Sequence, residues 1–324
     1  MKIGDLEIKG HVILGPMAGV TTLAYREFMK PFGVALSYSE MVSDCGLVYE
    51  NKKTYEYLAT SDIDRPVGIQ LFGFDAEKTC RAIEICEKEA EYDVLDINLG
   101  CPVFKVTKTG AGSAWLKKPN DLYYYIKKIC ETSHKPVTAK IRLGWDEKNI
   151  NVFEVAKGLE LAGVKAITIH CRTSKQGYSG VADYKAIAGL KETLNIPLII
   201  SGDIFTLEKA IEAVEITHAD AVMVARGGLG NPYLVTQINH YFETGEKLPS
   251  PDVLTQVGYA EEFAKKLIAQ KGEIVAIREL KGLIPHFFSG FPGYKKIRME
   301  IVMNVQNSEQ LFALLEGVRS RMSL

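Results

Sequence analysis

The chain has 324 residues, 47% of them hydrophobic and 24% charged, with 39 Lys+Arg against 40 Asp+Glu for a net charge of −1. That balance fits a soluble globular protein long enough for one large barrel plus a small appendage. It excludes a protein coated in basic surface, so any nucleic-acid contact must rest on a local patch.

No apolar run approaches the roughly 20 residues that a bilayer span needs. The opening MKIGDLEIKGHVILGPM lacks the basic-then-apolar layout of a secretory signal, so the expected location is cytoplasmic, with no membrane partner. Cys45, Cys80, Cys86, Cys101, Cys130 and Cys171 form no CxxC spacing. Neither a disulfide framework nor a metal site is expected, and Cys80 and Cys86 read as core residues of one helix.

In chain order, KIGDLEIKG (2–10) reads as a small hairpin able to plug one mouth of a barrel. Eight short aliphatic or β-branched runs follow, at 11–16, 34–40, 66–71, 93–98, 136–142, 165–170, 196–201 and 219–225. Amphipathic stretches such as 75–91 and 152–163 lie between them. Runs with no polar face are the mark of parallel strands covered by helices on the outside. Eight of them predict an α/β fold, a (β/α)8 barrel. After Pro232 the rhythm changes. TGEKLPSP (244–251) has the composition of a linker. Beyond it helices are predicted over 253–270, 273–289, 294–305 and 308–320, interrupted by GFPG at 290–293. The expected organisation is a barrel domain over 1–243 and an all-helical domain over 244–324 docked on it.

In such a barrel the active site forms at the C-terminal ends of the strands. Here those ends read GPMAGVT, IQLFG, DINLGCP, AKIRLGW, IHCRT, SGDI and VARGGLGNP. Singly, Gln70 reads as a satisfied core amide, Lys140 as a snorkelling lysine and His170 as a capped core histidine. Together they predict a site. SGD (201–203) and ARGGLGNP (225–232) follow the last two strands, where backbone N–H groups commonly hold a phosphate and Arg226 would add charge. Lys140 and Gln70 suit a flavin: the ammonium favours an anionic reduced ring and the amide meets its carbonyl and N–H edge.

The segments PMAGVTTLAYR (16–26), SEMVS (39–43), IQLFG (69–73) and DINLGCPVFKVTKTGAGSAWL (96–116) add a further signal. So do KIRLGW (140–145), IHCRTSKQGYSGVADY (169–184), SGDI (201–204) and VARGGLGNPY (224–233). Over nearly its whole length the chain resembles the tRNA-dihydrouridine synthases, most closely the bacterial DusB-like branch. The resemblance implies an FMN-dependent barrel with a C-terminal helical tRNA-binding domain. It implies that NADPH reduces the flavin, that hydride goes to C6 of a D-loop uridine, and that Cys101 supplies the proton to C5. An acid is needed because addition to the conjugated C5=C6 bond leaves enolate character, and a thiol with a pKa of about 8.5 is competent at neutral pH.

On the matched positions, the resemblance assigns Pro16, Met17 and Ala18 to the flavin ring, and Gln70 and Lys140 to its polar edge. His170 falls at the flavin or substrate face. Ser201, Gly202, Asp203, Ala225 and Arg226 fall to the ribityl chain and phosphate. Asn98 would hold the uracil edge, and Lys105 and Arg172 would contact RNA phosphate or the target nucleotide. Tyr178 is either a base-stacking residue or a loop anchor. Lys281, Lys295, Lys296 and Arg298 are the candidate phosphate contacts of the helical domain. Ser201 stands where the family often has asparagine. LKGLIPHFFSGFPG (280–293) keeps one lysine and two phenylalanines where the branch usually carries a basic cluster and a Trp–Tyr pair. Two other readings stay open: a flavin enzyme acting on a free pyrimidine, like dihydroorotate dehydrogenases, and an RNA-binding protein without activity.

Overall fold

Each of the eight aliphatic runs forms a strand. The computed structural model describes residues 1–322. A hairpin of β1 (Lys2–Ile3) and β2 (Leu6–Glu7) precedes β3 (Val12–Leu14), β4 (Leu36–Ser43), β5 (Val67–Phe72) and β6 (Val94–Asn98). β7 (Val137–Arg142), β8 (Ala166–His170), β9 (Leu198–Ser201) and β10 (Ala221–Val224) complete the set. They close in chain order, β10 pairing β3, with every pair parallel. β4 runs past its expected end because its register shifts between Tyr38 and Met41, a bulge that re-aims the residues after it. The hairpin plugs the N-terminal mouth as expected: Ile3 and Ile8 are buried against Ile13, Tyr38, Val94 and Met223. The cleft can therefore open only at the other end.

Side chains at strand and helix junctions explain where the helices begin. Asp75 accepts from the N–H groups of Glu77 and Lys78 to cap Ala76–Glu89, and Asp252 accepts from Thr255 to cap Val253–Lys271. All six cysteines are free thiols; Cys86 is buried in the core and Cys80 is half-buried.

One connection departs from the regular barrel pattern, and one stretch, 273–289, differs from the sequence expectation. Between β8 and β9 the connection is a loop with only 3-10 turns at Tyr184–Ile187 and Lys191–Thr193. Gly177, Gly180 and Gly189 take positive φ there, which a continuous helix does not allow. The helix predicted over 273–289 ends at Leu283 and continues as a 3-10 turn, Ile284–Phe288. Pro285 lacks the N–H an α-helix needs at that position and disfavours helical geometry just before it.

The C-terminal helices dock on the outside of the barrel through an aromatic cluster. Phe263 lies with its ring centroid 5.4 Å from Phe28 and 5.5 Å from Tyr25, and Phe287 sits 6.0 Å from Phe28. Gln270 Oε1 accepts from the Ala24 N–H at 2.8 Å, tying the same two helices by a polar bond. Phe263 is wholly buried, so Phe263→Ala is expected to cost about 3–5 kcal/mol, read as a lower denaturation midpoint in urea. Among the described residues no helix is long and apolar enough to cross a membrane.

Candidate active site

The loops after β3, β9 and β10 enclose a cleft with Lys140 and His170 on its floor. Pro16 and Met17 come from the first loop, Ser201, Gly202 and Asp203 from the second, and Ala225 and Arg226 from the third. All but two of the residues expected at the cofactor thus share one cavity. Ala18 sits exposed at the rim, and Gln70 is wholly buried under the floor. Ile204, Phe205, Met223, Gly15, Gly227 and Tyr178 complete the lining.

Glycines keep the β9 and β10 loops close. A Cβ on Gly227 would collide with the Ile204 carbonyl, which is backbone and cannot step aside. One on Gly202 would lie 3.0 Å from His170 Cδ2 and 2.9 Å from Ala182 Cβ. Gly227→Ala is therefore expected to push the two loops apart at a cost of about 1–3 kcal/mol. Its readout is affinity for added flavin, which should fall by about 5- to 150-fold at that cost.

The cleft is cationic. Lys140 makes no ion pair among the described residues, and Arg142, Arg172 and Arg226 lie near it, with Asp203 the carboxylate among them. Burial drives the His170 pKa far down, and the charges of Lys140, Arg142, Arg172 and Arg226 push the same way, so this imidazole is neutral. Its Nε2 lies 3.3 Å from Arg172 Nη1. Arginine can only donate, so Nε2 accepts and the ring proton sits on Nδ1. Tyr178, 58% exposed, lies at the mouth with the Arg226 guanidinium 4.8 Å and the Arg142 guanidinium 5.6 Å from its ring centre.

Cys101 sits on the turn that leaves β6. Asn98 Oδ1 accepts from the N–H groups of Cys101 at 2.8 Å and Gly100 at 3.2 Å. The Cys101 carbonyl accepts from both the N–H and the Oγ of Ser113, each at 3.0 Å. Gly112, at φ +60°, is needed here because a Cβ would approach the Cys101 carbonyl to 2.7 Å. Arg142 donates through Nε to Gly100 O at 2.7 Å and through Nη1 to the carbonyls of Thr173 and Gly177. It bolts the Cys101 turn to the Tyr178 loop. Burial pushes the Cys101 thiol up, partly offset by a hydrogen bond from Val103 and the charges of Arg142 and Lys140.

Several roles differ from the expectation. Arg172 is buried: its Nε donates to Ser179 O, and its Nη2 to Gly180 O and to Asp203 Oδ2 at 2.7 Å. Buried as it is, it holds the β8 and β9 loops together rather than standing free for an outside phosphate. Asp203 likewise faces protein, accepting from Arg172 and the Ala182 N–H. Burial works against its charge, but these bonds and the nearby arginines keep its carboxyl below the ordinary value. Asn98 is occupied with the Cys101 turn and with Gln70. Lys105 and Lys108 stand exposed after the turn, and Lys295, Lys296 and Arg298 are exposed on the helical region, where Lys281 is half-buried.

A family model described as "Dihydrouridine synthase (Dus)" matches residues 13–322. The chain belongs to the dihydrouridine synthase family. A probable tRNA-dihydrouridine synthase 1 from Synechocystis sp. is 36% identical over 314 residues, which is 96% of this chain and 88% of that protein. A tRNA-dihydrouridine synthase B from Pasteurella multocida is 33% identical, over 97% of this chain and 94% of its own length. Among solved structures, a histamine dehydrogenase from Rhizobium sp. 4-9 superposes with a TM-score of 0.55 at 12% identity, over 82% of this chain and 50% of that one. At that identity it shares the fold.

Dihydrouridine synthases are flavin-dependent oxidoreductases, and the cleft fits such a cofactor. It offers an unpaired ammonium, a neutral imidazole with a free Nδ1 proton, and a glycine cradle beside Arg226. Three residues of this chain escaped sequence reasoning: Arg142, Ser113 and Asp96. Strand alternation held the signal for two of them. Arg142 stands two residues after Lys140 and Asp96 two before Asn98, so each shares its neighbour's face. Ser113 carries no such signal, since only the folded loop brings it to Cys101.

Proposed function

We propose that the chain is an FMN-dependent tRNA-dihydrouridine synthase that reduces the C5=C6 bond of uridine in the tRNA D-loop, with NADPH as electron donor, in the cytoplasm. The observation that carries this reading is a free thiol, Cys101, held by its own backbone on a turn that Arg142 grips through Gly100 O, two residues along the strand from the cleft-lining Lys140. FMN, when bound, supplies the hydride that C6 accepts. Lys140 favours the negative charge of the reduced cofactor, and Arg226 with the glycine-lined loops suits its phosphate. His170, neutral with its proton on Nδ1, offers a donor and no charge. Cys101 gives its proton to C5 and is left as a thiolate, to be reprotonated from solvent. Thiol rather than thiolate is the form this step requires, and burial favours it.

The target base must leave its stack to enter the cleft. Exposed Tyr178 offers it a ring at the mouth, and Lys105 and Lys108 offer the phosphates charge. The helical region from residue 244 on is assigned to holding the tRNA body, through Lys281, Lys295, Lys296 and Arg298. The reading is tested by reducing the purified yellow protein with NADPH and following its reoxidation by unmodified tRNA, orotate and free uridine. Faster reoxidation by tRNA supports it. Faster reoxidation by orotate or uridine makes this a free-pyrimidine enzyme, and a colourless protein makes it an RNA binder without redox chemistry.

A further inference from the structure

The Cys101 turn is the last link of a hydrogen-bond chain that starts beneath the cleft, inside the barrel. Asp96 of β6 is almost wholly buried, and both of its oxygens are taken. Gln70 Nε2 donates to Oδ2 and Thr138 Oγ1 donates to Oδ1, each at 2.6 Å. Tyr38 Oη lies 3.1 Å from Thr138 Oγ1 and continues the chain on that side. On the other side Asn98 Nδ2 donates to Gln70 Oε1 at 2.8 Å. Asn98 Oδ1 then receives the Cys101 and Gly100 N–H groups.

The bond directions agree from both ends of the chain, because the Gly100 and Cys101 N–H groups can only donate and the Asp96 carboxylate can only accept. An ionised carboxylate cannot donate, so Gln70 must turn its amino end to Asp96 and its carbonyl to Asn98. Asn98 must then give its amino end to Gln70, which leaves its carbonyl for the Cys101 turn. Reversing either amide would set like groups against one another where water cannot repair the loss. Burial pushes the Asp96 carboxyl up to about 6, with the Gln70 and Thr138 hydrogen bonds and the Lys140 charge acting the other way. At neutral pH it is therefore mainly ionised.

We infer that Asp96 is a positioning residue: acting through Gln70 and Asn98, it anchors the amide pair that holds the Cys101 turn in place. Its catalytic consequence rests on the proposed function; its structural consequence does not. The two parts are separable by experiment.

Hydrogen exchange at the Gly100 and Cys101 amides, read by mass spectrometry, reports the turn directly. Helix Val253–Lys271 serves as the control for global loosening. In Asp96→Leu the anchor is gone, and exchange at Gly100 and Cys101 is expected to be roughly five- to tenfold faster, the worth of about one net hydrogen bond. Asp96→Asn keeps one acceptor for Gln70 and turns its amino group to Thr138, whose hydroxyl can reverse toward Tyr38. Protection in that variant should return to the wild-type level. Gln70→Met breaks the relay one step later at nearly constant volume and should match Asp96→Leu. It carries the test if Asp96→Leu does not fold.

On the same holoproteins, reoxidation of the reduced flavin by tRNA should slow by about 100-fold in Asp96→Leu, the expected cost of a displacement near 1 Å, and recover in Asp96→Asn. Wild-type protection in both Asp96→Leu and Gln70→Met, or Asp96→Asn behaving like Asp96→Leu, overturns the inference. Failure of tRNA to reoxidise the wild-type enzyme would instead remove the proposed function, while the exchange result still decides the role of Asp96.

Discussion

Cys101→Ala is expected to leave reduction of the flavin by NADPH near the wild-type rate and to slow reoxidation by unmodified tRNA by about 10²–10⁴-fold, the usual worth of a positioned general acid. The two half-reactions separate because the turn does not depend on its own side chain. Asn98 and Ser113 hold the Cys101 backbone, so alanine inherits the same conformation and removes only the thiol. The pH profile adds a second readout. Burial raises the Cys101 pKa above the ordinary thiol value, so the acid form persists through neutral pH and is lost only above that value. Wild-type reoxidation by tRNA should therefore stay level through pH 8 and fall at higher pH. The alanine variant, having no thiol to ionise, should lack that basic limb. Wild-type tRNA turnover in Cys101→Ala would rule out the proton-donor role.

Why does the sequence show that Cys101 sits in a turn but not that Arg172 is buried? The thiol lies in a turn whose neighbours announce it: Asn98 at the end of a buried strand, then Gly100 and Pro102. Short-range geometry fixes its place, and short-range geometry is what a sequence displays. Arg172 lies in an equally polar loop, but its partners are Ser179 and Gly180 in the next stretch and Asp203 beyond β9. Nothing local distinguishes an arginine that faces solvent from one that closes two loops. The strands were legible because a parallel barrel strand is buried on both faces and reads as an unbroken aliphatic run. The helices were less so where proline or glycine intervened. Leu280 to Phe288 keeps helical apolar spacing across Pro285, and the pattern does not show that the backbone changes type there. The buried network of Tyr38, Thr138, Asp96 and Gln70 is the hardest kind of feature to foresee. Each member comes from a strand that otherwise looks apolar, and only the register of the paired strands sets Gln70, Asp96 and Thr138 side by side.

Lys140→Met is expected to have two opposite effects. The Lys140 ammonium is lowered to about 8 first by desolvation and then by the Arg142 charge, with Asp96, Cys101 and Cys171 pulling it back. The folded protein therefore holds this proton less tightly than the unfolded chain, where lysine titrates near about 10.4. Below pH 8 both states carry the charge and the fold bears its full cost. Between pH 8 and the unfolded value the folded state alone releases the proton, and the cost fades. Allowing for the access that the cleft gives to solvent, that cost is roughly 2–3 kcal/mol. Methionine has nearly the same length and no charge, so the flavin-free variant should be more stable than wild type by about that amount at pH 7. The gain should vanish above the lysine range. Flavin affinity should move the other way, falling about 10- to 100-fold with the loss of one charge-assisted interaction of about 1.5–3 kcal/mol. Wild-type affinity should also weaken above pH 8, as the free protein loses the proton that its ligand requires, whereas the variant should show no such slope. Urea unfolding of the flavin-free protein and fluorescence titration with FMN measure the two halves independently. A variant that is less stable, or that binds FMN as tightly as wild type, would mean that Lys140 is a structural residue rather than a charge held unpaired for its ligand.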